Sequence, residues 1–262
     1  MIVLCADGLK VILIKRRKIM SLFVIADLHL SGAVNKSMDV FGRRWAGYTD
    51  RIKSNWSHLV NEDDTVIIPG DISWGMSLEE ALPDFKFIDA LPGKKYFLKG
   101  NHDFWWNTIS KIKEFFKQND INTIEIVQNN AFIVENFIIC GSRGWFSDER
   151  YQNTAGSPDF KKVVARELIR LRMSLDAAKA LKDDGCDREI VCFFHFPPAL
   201  GAFKCDEFIS LMTEYGVRRC YFGHIHDPNV TASEFVCDGI SMNLISADHL
   251  GFVPKLIRVN VY

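Results

Sequence analysis

The chain has 262 residues, 48% of them hydrophobic, which suffices for a sizeable core, and it reads as one domain rather than two small ones. A formal net charge of -1 provides neither a basic face for nucleic acid nor an acidic tail, so attraction of a charged substrate must be local to a site. The seven cysteines are odd in number and scattered, with no C-x-x-C pair, which argues against a disulfide scaffold and for buried free thiols in a reducing cytoplasm.

In chain order, apolar runs at 2–5 and 11–14 are broken by Asp7, Gly8 and Lys10 and followed by basic residues at 15–18. They are too short to cross a membrane, and their charge follows the apolar stretch where a signal peptide carries it in front, so neither insertion nor secretion is expected. Residues 1–19 read either as an N-terminal extension or as an extra strand, ahead of a single domain at 20–262.

The run 22–26 reads as a buried strand ending at Asp27 and His29. Trp45, Tyr48, Ile52, Trp56 and Leu59 then recur at helical spacing as a core-facing stripe. Arg43 and Arg44 just before it either reach a phosphate or are solvated. A second strand, 66–70, ends at Asp71 and leads to a helix marked by Leu78, Ala81, Leu82, Phe85 and Ile88. A third, 96–98, runs into Gly100, Asn101, His102 and Asp103 and is followed by a helix with Ile109, Ile112, Phe115 and Phe116 on one face. This alternation predicts a largely parallel sheet with ligands beyond the carboxyl ends of its strands.

Three short apolar runs at 124–127, 131–134 and 137–140, separated by Asn-rich turns, are expected to be antiparallel. A loop with Gly156, Ser157 and Pro158 opens a long helix carrying Val164, Leu168, Leu171, Leu175, Ala178 and Leu181, with Gly185 as its stop. Strands at 190–194 and 220–223 end at His195 and at His224 and His226. Runs at 234–237 and 256–259 are expected to finish a second sheet.

Asp27 and His29 lie two residues apart in extended chain, so their side chains leave one face and can bind one ion together. Two imidazoles at the same spacing in Gly223-His224-Ile225-His226 are hard to explain as packing. Five strand ends bearing metal-type ligands point to one assembled metal site. His58 reads as a surface residue, whereas Asp248 and His249 read either as supports of the site or as bystanders. Trp74, Trp105 and Trp106 read either as core or as an apolar wall for a ring or base.

As a set, Asp27-x-His29, Gly70-Asp71, Gly100-Asn101-His102-Asp103, His195 and Gly223-His224-x-His226, in this order over roughly residues 21–259, resemble the calcineurin-like metallophosphoesterase superfamily. The resemblance implies an α/β fold of two facing mixed β-sheets flanked by helices, a four-layer sandwich, with a dinuclear metal centre at the strand ends. It assigns Asp27, His29 and His226 to the first metal and Asn101, His195 and His224 to the second, with Asp71 bridging. It gives His102 the roles of stabilising the transition state and protonating the leaving oxygen, with Asp103 holding its ring. Such ligands suit two divalent ions, Mn²⁺ foremost and Fe or Zn²⁺ otherwise. The implied activity is hydrolysis of a phosphate mono- or diester, in a small molecule or a phosphoprotein, by in-line attack of a metal-bridging hydroxide. Two alternatives stand beside it: a non-catalytic metal-site scaffold that binds a protein partner, and a nuclease, which no basic stripe supports.

Overall fold

Strand residues in this chain alternate between two destinations, and that alternation sets the layers. The computed structural model describes residues 20–146, 159–185, 187–230 and 232–258. Residues 1–19 and the loop at Gly156, Ser157 and Pro158 lie outside that set. The elements run β1 (Leu22–Val24), α1 (Tyr48–Leu59), β2 (Thr65–Pro69), α2 (Leu78–Asp89), β3 (Lys94–Leu98), α3 (Ile109–Gln118), β4 (Ile124–Ile126), β5 (Phe132–Val134), β6 (Phe137–Ser142), α4 (Phe160–Asp183), β7 (Glu189–Phe194), β8 (Ala199–Leu200), β9 (Phe203–Lys204), α5 (Asp206–Glu214), β10 (Arg219–Phe222), β11 (Glu234–Cys237), β12 (Ile240–Leu244) and β13 (Lys255–Ile257).

One sheet has the order β13-β1-β2-β3-β4, the other β11-β12-β10-β7-β6-β5. In the first, Phe23, Val66, Ile68 and Phe97 face a core shared with Trp45, Ile52, Trp56, Phe85, Ile88, Ile112 and Phe116 of the helical layer. In the second, Ile190, Cys192, Phe194, Cys220 and Phe222 face Leu171, Leu175, Phe208 and Met212 of α4 and α5. The intervening residues, Leu22, Val24, Ile67, Tyr96 and Leu98 from one sheet and Ile139, Val191, Phe193 and Tyr221 from the other, form a middle layer where the sheets meet. Period-two alternation between apolar destinations on both faces is what a doubly covered parallel strand requires. The expected pair of facing mixed sheets flanked by helices is therefore present. Among the described residues, no helix is long and apolar enough to cross a membrane.

Two expectations are corrected. The runs at 124–127, 131–134 and 137–140 are not one antiparallel set: β4 pairs parallel with β3 in the first sheet, and only β5 and β6 form an antiparallel hairpin, in the second. The run near 256 does not finish the second sheet, because β13 pairs antiparallel with β1, Leu22 opposite Ile257, and covers what would otherwise be the open edge of the first. The second sheet is completed instead by β11 and β12, a hairpin whose Ile240, Met242 and Leu244 reach the core.

All five ligand-bearing strands, β1, β2, β3, β7 and β10, place their carboxyl ends at one end of the sandwich. Close approach there depends on glycine. A Cβ on Gly100 would sit 2.1 Å from Oδ1 of Asp71 and 2.2 Å from its backbone nitrogen, and one on Gly223 would sit 2.4 Å from Oδ2 of Asp27. Gly100→Ala is expected to destabilise the protein by about 1–3 kcal/mol through overpacking against the Asp71 backbone. A fall in the urea midpoint at constant m-value would show it, and an unchanged midpoint would mean that the turn relaxes freely.

Candidate metal centre

Strand β1 does not simply stop at the site. Its continuation keeps bonding beside that of β2: Asp27 N–H donates to Gly70 O at 3.0 Å, His29 N–H to Asp71 O at 2.9 Å and Leu30 N–H to Ile72 O at 3.0 Å. Within this ladder Asp27, His29 and Asp71 adopt positive φ values of 59°, 46° and 51°, as does His224 at 71°. The left-handed region disfavours residues with a Cβ, so four such residues at one spot store conformational strain that the surrounding bonds must hold.

These backbones bring two groups of side chains together. Asp27, His29 and His226 form one and Asp71, His195 and His224 the other, and within each group the potential ligand atoms lie within 4.8 Å of one another. Asp71 faces both, with Oδ2 3.7 Å from His29 Nε2 and Oδ1 3.5 Å from His195 Nε2. Asn101 adds an amide oxygen 2.6 Å from His195 Nε2. The seven residues read as ligands from the sequence thus converge.

Inward-facing ring nitrogens of His226 and His195 carry lone pairs, and at His195 the lone pair meets an oxygen. His226 Nδ1 lies 2.8 Å from Asp248 Oδ1, which leaves its Nε2 unprotonated in the neutral ring and 3.2 Å from His29 Nε2. His195 Nδ1 lies 3.2 Å from Pro69 O, which likewise leaves Nε2 as an acceptor against the Asn101 oxygen. Acceptors in contact with acceptors repel, and a cation between them converts both into ligands. The donor set fits divalent metals of the Mn, Fe and Zn type.

Burial dominates the electrostatics. It pushes the Asp27 carboxyl up to about 8, with His226 opposing the rise and Asp71 reinforcing it. It also raises Asp71, against the nearby His102 charge and backbone N–H. His29, His195 and His224 are driven well below the usual imidazole value by burial and by neighbouring imidazoles. His226 moves the other way: against burial, its largest influence, the Asp248 hydrogen bond and the Asp27 and Asp71 charges raise it.

Asp103 requires a correction. Its carboxylate does not orient His102. It is fully buried and accepts from five donors, none of them on that ring: the N–H groups of Asp71, Ile72, Ser73 and Gly100, and Trp105 Nε1. Burial and the Asp71 charge push this carboxyl up to about 7 against those donors. Asp103 is the clasp that holds the β2 and β3 turns together. His102 is half-buried at the site, its N–H donates to Asp71 Oδ1 at 2.8 Å, and burial lowers its pKa against the Asp71 charge.

The remaining sequence choices also resolve. Trp105 is buried against Phe85 and belongs to the core, and Trp106 is half-buried with its indole N–H on Gln128, while Phe104 is exposed. Trp74 alone of the three tryptophans touches the centre, stacked 4.9 Å from the His29 ring and tilted against that of His102 at 4.4 Å. Arg44 pairs with Asp248 at 3.0 Å and also donates to the His226 carbonyl, so it braces a ligand. Asp248 supports His226, whereas His249 and His58 are exposed.

Comparison with known proteins agrees with this geometry. A family model described as calcineurin-like phosphoesterase matches residues 20–228. No curated protein matches the chain. Among solved structures, a phosphopantetheinyl hydrolase from Mycobacterium tuberculosis superposes with a TM-score of 0.51 at 15% identity, over 92% of this chain and 96% of that one. A protein from Thermus thermophilus gives 0.55 at 10% identity, over 92% of this chain and all of its own. Likenesses this remote show the fold alone. The family match, by contrast, takes in all seven candidate ligands and most of the sequence, and the chain belongs to the calcineurin-like phosphoesterase family.

Proposed function

We propose that this chain is a dinuclear metal-dependent phosphoesterase that hydrolyses a phosphate mono- or diester. The observation that carries the reading is Asp71, whose two carboxylate oxygens face different ligand groups, as a bridge between two ions would. Asp27, His29 and His226 would hold one ion and Asn101, His195 and His224 the other. Two divalent cations, Mn²⁺ foremost with Fe or Zn²⁺ as alternatives, supply activation of water and neutralisation of phosphate charge when bound.

The protein's own part is positioning and proton supply. Asp248 and the Pro69 carbonyl fix which imidazole nitrogens of His226 and His195 face inward. The Asp71 hydrogen bond fixes the His102 backbone, and the ring lies against Trp74 at the half-open side of the centre. In this reading His102 protonates the leaving oxygen, and the burial that lowers its pKa makes the imidazolium a stronger acid. The likeness to a phosphopantetheinyl hydrolase is one of fold and leaves the ester to a screen. Free thiols at Cys140, Cys192, Cys220 and Cys237 support a reducing, cytoplasmic setting.

Mn²⁺-loaded protein is expected to cleave 4-nitrophenyl phosphate or bis(4-nitrophenyl) phosphate, and metal-replete protein inert on both would sink the proposal. His102→Ala is expected to lower kcat by about 10²–10⁴ with metal content unchanged. The loss should be larger for alkyl esters, whose leaving group needs a proton, than for nitrophenyl esters; equal losses would remove the acid role. Metal binding should also release a proton. With Asp27 raised to about 8, its carboxyl is mostly protonated at neutral pH, so metal affinity rises with pH up to that value and then levels off. Calorimetry in buffers of different ionisation heat measures this release, and Asp27→Asn should weaken binding and flatten its pH dependence.

A further inference from the structure

A second feature lies beside the centre, on the flank formed by β3 and β6. A narrow cleft there is lined by Lys99, Arg143, Arg170, Glu167, Asn129 and Ser142, with the 127–129 turn forming one wall. It holds about 20 Å³ of free space, room for one ordered water or the tip of a small anion, and the ends of Lys99 and Arg170 on its rim are only partly buried.

Three cations in this lining face a single carboxylate. Glu167 is itself buried and already engaged, with Arg170 at 2.8 Å, Arg143 at 3.4 Å and the Ser142 hydroxyl at 2.9 Å. Among the described lining residues two positive charges are left over, and Lys99 forms no ion pair with any described residue.

Two further atoms in this lining point to a ligand. Arg143 Nε and Asn129 Oδ1 are buried and have no hydrogen-bond partner among the described residues. Buried polar atoms are rarely left unpaired, and a guanidinium Nε–H beside an amide that can turn either end inward suits an anionic oxygen.

The cleft is also next to the chemistry. Lys99 precedes the ligand Asn101 by two residues, ~7 Å in extended chain. The Arg143 carbonyl accepts the N–H groups of His195 and Phe196 at 3.2 and 2.9 Å, and its guanidinium is close enough to act electrostatically on Asp71. A substrate whose scissile phosphate lies at the metal ligands would meet this cleft within a few bonds.

We propose that the cleft formed by Lys99, Arg143, Arg170 and Asn129 binds a second anionic group of the substrate, a phosphate or carboxylate a few bonds from the scissile phosphate. The inference rests on the phosphoesterase reading for what occupies the neighbouring centre. It selects phosphate esters with two separated anionic groups over simple monoesters.

The test is calorimetric binding to the Mn²⁺-loaded full chain of three non-hydrolysable probes: propylphosphonate, 4-phosphonobutanoate and propane-1,3-bisphosphonate. The two-anion probes should bind about tenfold tighter than propylphosphonate, the scale of one charge-assisted hydrogen bond. Whichever of the two binds tighter identifies the second group as carboxylate or phosphate. Arg170→Met and Lys99→Met, both at partly exposed positions, should each erase most of that preference and leave propylphosphonate unchanged, with near-UV circular dichroism confirming the fold. Equal affinity for all three probes, or a loss shared equally by them in the variants, overturns the inference. Turnover of nitrophenyl esters without any two-anion preference defeats this subsite alone, whereas the preference without turnover defeats the phosphoesterase reading alone.

Discussion

Three carboxylates, Asp27, Asp71 and Asp103, are buried close together at one end of the sandwich, and much of the surrounding architecture answers the cost of putting them there. Each receives backbone N–H groups: Asp27 from His224, Asp71 from His102, and Asp103 from four residues in two turns. Aiming those groups inward accounts for the left-handed residues and the glycines without room for a side chain. The compensation is partial, because Asp27 and Asp103 still hold protons more tightly than free carboxyls do. Divalent cations bound there would complete the neutralisation, so the metal affinity expected of the centre and the strain in its turns have one origin.

The sheets make this arrangement possible without taking part in it. Parallel strands in each sheet end at the same level, and the apolar middle layer holds the two sets of ends face to face. Asp27 and Asp71 from one sheet can then meet His195 and His224 from the other, residues far apart in sequence. The strands need only be apolar on both faces, which leaves the polar residues beyond their ends free to carry the chemistry.

That division explains what the sequence made legible. Each candidate ligand stands just past an apolar run, and several stand behind a glycine, so Asp27, His29, Asp71, His195, His224 and His226 stood out by pattern, whereas the choice of Asn101 within its cluster came from the family resemblance. The role of Asp103 could not, because its partners are backbone N–H groups, which every residue but proline has. The bracing role of Arg44 was equally hidden, since it meets His226 and Asp248 across long stretches of chain, and Asp248 could be read only as support or bystander. Strands of three residues such as β4 carry too short a pattern to tell parallel from antiparallel neighbours. The Trp105 indole is core because its N–H has a buried carboxylate to meet, a fact of packing that its nearness to Asn101 disguised.

The pairing of β1 with β13 bears on how the protein is made. Leu22 lies opposite Ile257, so the strand leading to Asp27 and His29 gains its edge partner only after most of the chain has left the ribosome. The same delay applies to His224, His226 and Asp248. A nascent chain therefore exposes the early ligands with one side of their strand unpaired and half of the metal cage missing. Stray cations captured at that stage would be held weakly and exchange freely. The full set of candidate ligands exists only once the chain beyond β10 has been made.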